Sequence, residues 1–235
     1  MRDQKTLAIV LKRIDYGEAD RILQVLTPEG KRSVIARGVK KEKSKLAGGI
    51  ELFSVSEVVI HQGKGDLGIL TSTRLVEYYD ALVKDIDSIE LGGRMMREVC
   101  QRAEQIDSPE FFDILRQALR SMQKGINHSY VTERWKDVLQ TWWWLNLARA
   151  AGEDVNLNFD TDGQKLAVDG QYYWDEENSA LAKNAHGKVG AENIKLLRLM
   201  VKMPIETILK VKNLDELIDE CLYIAKCTER ETAGL

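Results

Sequence analysis

The strongest constraint in this sequence is a change of hydrophobic period near residue 80. Before it, short apolar and β-branched runs at 6–14, 21–27, 32–39, 52–61 and 67–79 are separated by turns. Tyr16-Gly17-Glu18, Pro28-Glu29-Gly30 and Gly63-Lys64-Gly65-Asp66 supply those turns, with Pro and Gly giving the backbone angles that tight reversals need. Five short strands with no helix between them predict a closed or nearly closed antiparallel barrel. After Asp80 the period becomes that of a helix. Leu91, Met95 and Val99 share one face, and Phe111, Phe112, Leu115, Leu119 and Met122 follow after the helix start Ser108-Pro109-Glu110. A long helix is expected over about 131–151, stopped by Gly152, and two more at 194–203 and 214–227. Residues 160–187 read as irregular and polar around Tyr172-Tyr173-Trp174. The expected fold class is α+β: an all-β N-terminal domain, 1–80, then an all-α domain, 81–235, carrying an irregular insert at about 153–189. The run Trp142-Trp143-Trp144 points three ways around its helix, so core packing is expected for one or two rings, with another facing a loop or partner.

Composition excludes several classes. Apolar residues make up 44% and charged residues 30%, which is ordinary for a folded domain and not for a disordered chain. Three cysteines, none in a C-x-x-C pair, make neither a disulfide framework nor a cysteine zinc site, and they suit a reducing compartment. The apolar run at 7–11 is too short for a secretion signal, and no run approaches the roughly 20 apolar residues that span a bilayer. A cytoplasmic, nucleoid-associated protein with no membrane partner is expected.

Charge is unevenly placed. The whole chain carries −3, yet residues 31–45 hold seven cations, Lys31, Arg32, Arg37, Lys40, Lys41, Lys43 and Lys45, against Glu42 alone. These residues sit on one strand and the loop after it. Small barrels bind nucleic acid strands over such a face and its loops, and lysines and arginines there neutralise phosphates and release counterions. Gly38 and Gly48-Gly49 flank the loop and would let it follow a backbone. The competing reading is a solvated strand face with a charged loop. Aromatic side chains in this half are few, namely Tyr16, Phe53, Tyr78 and Tyr79, which favours phosphate contacts over base stacking.

No catalytic constellation is present. The three histidines are scattered, there is no Walker loop or nucleophile elbow, and the G-x-G-x-x-G at 63–68 precedes a strand where a dinucleotide site requires a helix. The chain is expected to be non-enzymatic, with no cofactor.

The stretch DYGEADRILQVLTPEGKRSVIARGVKKEKSKLAG at 15–48, and GKGDLGILTSTRLVEYY at 63–79, resemble the bacterial RecO family of recombination mediators. The helical remainder resembles it in layout only. The resemblance implies an OB-fold followed by a helical domain, and a role in recombinational repair by the RecF pathway. That role comprises binding single- and double-stranded DNA, annealing complementary strands, and acting with RecR to load RecA onto DNA coated by single-strand binding protein (SSB). The cations at 31–45 become the implied DNA-binding residues. Many members carry a zinc module, C-x-x-C-G and a later C-x-x-C. Here the corresponding stretches read Phe159 to Gly163 and Ala182 to Ala185, which cannot ligate zinc, so no metal is expected and packing of Tyr172, Tyr173 and Trp174 would replace it.

An SSB C-terminal tail is acidic and ends in an apolar residue, so its receptor needs an apolar pocket beside cations. Phe112, Leu115 and Leu119 next to Arg116, Arg120 and Lys124 fit that description, unless the apolar three are core. Two rival functions remain open at this point: an OB-fold adaptor for a protein partner, and an RNA-binding protein without annealing activity.

Overall fold

The computed structural model describes residues 2–63, 65–127 and 132–232. Lys64, His128 and Val131, which figured in the turn, histidine and helix readings above, lie outside them. The contacts divide the chain into two compact units, 1–127 and 128–235.

The first unit begins with β1 (Arg2–Tyr16), β2 (Asp20–Thr27), β3 (Gly30–Ala36), β4 (Ser54–Gln62) and β5 (Leu67–Tyr78), joined in a closed barrel of order β1-β2-β3-β5-β4. The long β1 closes it by serving two neighbours. Its first half, Arg2 to Ile9, pairs with β4, and its second half, Ile9 to Tyr16, pairs with β2 past a bulge between Val10 and Lys12. That bulge gives the strand the bend and twist it needs to change partners. The closing contact between β3 and β5 is parallel and short, Ser33–Ile35 against Leu67–Ile69. Gly68 sits in it, where a Cβ would lie 2.7 Å from the Ile60 side chain. Alternation fills the interior with Ala8, Val10, Leu23, Val25, Val34, Ala36, Val58, Ile60 and Leu70.

The opposite face of β1–β3 is also apolar where it is covered: Ile9, Leu26 and Ile35 are buried. Helix α1 (Ile86–Arg102) packs on β1 and α2 (Glu110–Ile126) on β2, and both belong to the same compact unit as the barrel. The barrel itself ends at Tyr78, where the period changes, but the compact unit runs 47 residues beyond the boundary expected at 80. Asp85 caps α1 by accepting from Ser88 N–H. Phe111, Phe112, Ile114, Leu115, Leu119 and Met122 of α2 are all buried.

The second unit holds α3 (Trp135–Ala150), β6 (Tyr172–Asp175), β7 (Ala180–Lys183), α4 (Ala191–Lys202), a single turn α5 (Ile205–Ile208) and α6 (Leu214–Thr232). Helices α3, α4 and α6 pack on one another. All three tryptophans of the 142–144 run are buried, so none faces out as expected for one of them. Trp142 Nε1 donates to the Met203 carbonyl at 2.9 Å, and Trp143 and Trp144 meet edge to face at 6.4 Å. The insert read as irregular contains the β6–β7 hairpin, on which Tyr172 and Trp174 point inward and Tyr173 outward. Among the described residues no helix is long and apolar enough to cross a membrane.

Candidate nucleic-acid interface

The seven cations read from the sequence separate into three groups. Lys31 faces outward from β3 but is only 10% exposed: its ammonium donates to Glu104 Oε1 at 2.5 Å and to the Cys100 carbonyl at 3.3 Å. The same Cys100 donates its thiol to Gln24 on β2 at 3.0 Å. The end of α1 therefore sits on the outer face of β2 and β3, and Lys31 secures it there rather than facing a ligand. The ammonium of Lys31 in turn holds the Glu104 carboxyl below the usual range. Arg32 is exposed at the opposite end of β3 from the loop, roughly 16 Å from Arg37 at strand spacing, in a cleft shared with Glu29, Glu104 and Asp107.

The remaining five gather on one rim. Arg37, Lys40, Lys41, Lys43 and Lys45 are exposed on the loop that leaves β3, and among the described residues Arg37, Lys41, Lys43 and Lys45 have no ion-pair partner. Lys40 is shared: its ammonium lies 3.2 Å from Asp15, which also accepts from Arg21 at 2.9 Å. Arg21 and Lys40 hold the Asp15 carboxyl below its usual range.

This loop is anchored rather than free. Gly38 N–H donates to Asp20 Oδ1 at 2.7 Å and Lys40 N–H to the Ala19 carbonyl at 2.9 Å, tying its start to the β1–β2 turn. Val39 and Ile50 enter the barrel core, with Leu46, Ala47 and Leu52 packed on it. Thr73 on β5 donates to the Leu46 carbonyl at 3.2 Å, and Gly49 approaches so closely that a Cβ there would lie 2.4 Å from Thr73. The glycines thus serve close packing and a turn, and the lysines are held out on a fixed scaffold. Fixing them reduces the ordering cost of holding a polyanion.

Of the stripe Arg116, Arg120 and Lys124 on α2, the two arginines have a different job from the one the sequence suggests. Glu77 of β5 accepts from Arg116 Nε at 2.9 Å, from Arg120 Nε and Nη2 at 2.6 Å each, and from the Tyr79 hydroxyl at 2.7 Å. Burial pushes the Glu77 carboxyl up, but the bonds from Arg120, Tyr79 and Arg116 outweigh it and bring it down to about 2. One turn on, Gln123 accepts from Ala81 N–H and donates to Asp80. Phe112, Leu115 and Leu119 are buried, so these three side chains offer no open apolar surface beside the cations. Arg116 and Arg120 tie α2 to the barrel through Glu77, and Phe112, Leu115 and Leu119 are buried, so these five residues present no open seat for an acidic tail, while Lys124 is exposed.

The zinc expectation can be tested against the insert. Among the described residues no three His, Cys, Asp or Glu side chains come together in a way that could hold a metal. Asp160 Oδ1 accepts from Asp162 and Gln164 N–H at 3.1 and 2.8 Å, and Asn184 Oδ1 accepts from His186 N–H at 2.8 Å. Thr161 N–H donates to the Leu181 carbonyl and joins the two stretches. Side-chain oxygens organise both turns through backbone donors, and the residues do not fit a zinc ion. Tyr172 and Trp174 pack there as expected, while Tyr173 is exposed. A chelator is expected to leave the melting temperature unchanged, with no stoichiometric zinc by elemental analysis; a chelator-dependent fall would overturn this account.

The closed five-stranded barrel followed by helices, carrying on one loop cations with no ion-pair partner among the described residues, defines an OB-fold protein. Residues 1–79 match the family described as Recombination protein O N terminal. A DNA repair protein RecO of Roseiflexus sp. is 35% identical over 134 residues, 53% of this chain and 45% of that protein. One of Dehalococcoides mccartyi strain CBDB1 is 26% identical over 230 residues, 93% of this chain and 86% of that protein. One of Heliobacterium modesticaldum is 42% identical over 87 residues, covering 37% and 32% of the two chains. Over its first 79 residues, and at lower identity over nearly its whole length, the chain is similar to proteins of the RecO family.

Proposed function

We propose that the protein is a non-enzymatic DNA-binding and strand-annealing protein of recombinational repair. Similarity to RecO proteins described as DNA repair proteins supports the repair role. The observation that carries the finer reading is the rim of Arg37, Lys41, Lys43 and Lys45, exposed, unpaired among the described residues and fixed to an OB barrel. Annealing needs no catalytic residue. It needs a positive surface that lowers the repulsion between two polyanions long enough for them to pair. The protein binds single- and double-stranded DNA there, and by the resemblance it acts with RecR in the RecF pathway to load RecA onto SSB-coated single strands. Contact with the SSB tail belongs to this reading, at a place other than the buried face of α2.

Strand annealing followed by fluorescence, with bare and SSB-coated complementary strands, tests it. The protein is expected to accelerate pairing in both cases, more weakly as salt rises. No acceleration at low salt would refute the reading, and preferential binding of RNA in competition would favour the RNA-binding alternative.

A further inference from the structure

The rim places an aromatic ring beside its cations. Tyr16 ends β1, 55% exposed, on the same strand face as the exposed Ile14. Its chain neighbour Asp15 binds Lys40, and its cross-strand partner Asp20 accepts from Gly38 N–H. Directly opposed residues in an antiparallel pair lie about 4.5–5.5 Å apart at Cα, so Tyr16 stands within one residue of both anchors of the basic loop. Of the other barrel aromatics, Phe53 and Tyr79 are buried, and Tyr78, exposed at the end of β5, pairs with Ser54 on β4 and not with the strands that anchor the loop.

Charge around Tyr16 is nearly balanced. Asp15 is matched by Arg21 and Lys40, Asp20 is engaged by a backbone N–H, and Glu18 is exposed. A phosphate gains little at this tip and much along Arg37 to Lys45. An uncharged aromatic base has the reverse preference, since stacking needs a ring face and no net charge. The outer face of β2–β3 further down is closed by the end of α1, which leaves the tip as the place where a base can meet an aromatic ring.

Resting on the reading of the rim as a DNA site, we propose that Tyr16 stacks on an unpaired base while the neighbouring loop holds the backbone, so that the site discriminates single strands from duplex. A base inside a duplex is already stacked on both sides and cannot meet the ring.

The test compares wild type, Tyr16→Ala, Tyr16→Phe and the loop variant Arg37→Ala/Lys41→Ala/Lys43→Ala/Lys45→Ala on three probes: oligothymidylate, an abasic strand of equal length, and a blunt duplex. Tyr16→Ala is expected to lose on the order of 10-fold or more on oligothymidylate, with unchanged affinity for the abasic strand and the duplex. Its salt dependence should match wild type, because stacking releases no counterions. Tyr16→Phe, which keeps the ring, should bind like wild type. Equal affinity of Tyr16→Ala and wild type for oligothymidylate, with the loop variant weakened, would overturn the proposal and leave the DNA site standing. An equal loss on all three probes would also overturn it, by making Tyr16 a support for the loop. A wild type that binds none of the probes would overturn the DNA site itself.

Discussion

Changing Arg37, Lys41, Lys43 and Lys45 together to alanine is expected to lower single-strand affinity by about 10²–10³-fold near 0.1 M salt. The figure follows from counterion release: each phosphate contact contributes about 0.7 to the log–log salt slope on single strands, and four contacts contribute about 2.8. The slope should flatten by up to that amount, and annealing should fall with it. Stability should barely change, because these side chains are exposed and make no ion pair among the described residues. Lys31→Ala is the instructive contrast. It removes a cation from the same sequence cluster but breaks a bond to Glu104, so it should alter the melt and leave the salt slope alone. An unchanged slope in the quadruple variant would move the DNA site off this rim.

The second large effect is expected at Glu77. Glu77→Gln should destabilise the first unit by about 2–3 kcal/mol, since it leaves two guanidinium groups facing a neutral amide across the barrel–helix contact. The sign of the pH dependence follows from the lowered carboxyl. Unfolded, Glu77 protonates near 4.5; folded, near 2. The stabilisation is complete above about 4.5 and is lost as the pH falls towards 2. Wild type should therefore lose stability across that window, while Glu77→Gln, already without the charge, should show a flatter curve there. Chemical denaturation at pH 6, 4 and 3 measures both, and parallel curves would show that the clamp carries no linked stability.

The sequence disclosed some of this and withheld the rest for identifiable reasons. Strand positions came through because turn residues and β-branched runs are local signals. Even Val39, read as strand, is buried as that reading implies, although the chain has already turned at Arg37. The cationic loop was legible as composition, but composition cannot tell Lys31 from Lys41. What separates them is Glu104, which lies 73 residues from Lys31. The same limit hid the role of Arg116 and Arg120. At helical spacing they read as a solvated or ligand-binding edge, while the partner that decides the matter is one glutamate on a strand about 40 residues earlier. The β6–β7 hairpin escaped because four-residue strands give period-2 alternation too little length to register, although Tyr172 in, Tyr173 out and Trp174 in obey it. Tyr16 was visible as an aromatic residue. Its placement against the loop depends on hydrogen bonds from Gly38 and Lys40 that no spacing rule encodes.

The helical cover on the barrel also sets a timetable for synthesis. The strands are complete once residue 78 has left the ribosome, yet Ile9 of β1 and Leu26 of β2, the strands on which α1 and α2 pack, keep a water-facing apolar surface until those helices follow. At about 5–20 residues per second the intervening stretch takes roughly 2–10 s to translate. During that interval the nascent barrel is sticky on one side, and a ribosome that stalls before the second helix emerges leaves a chain suited to chaperone capture. A fragment cut at residue 80 would make that transient state permanent, whereas one cut at residue 127 would release the whole first unit.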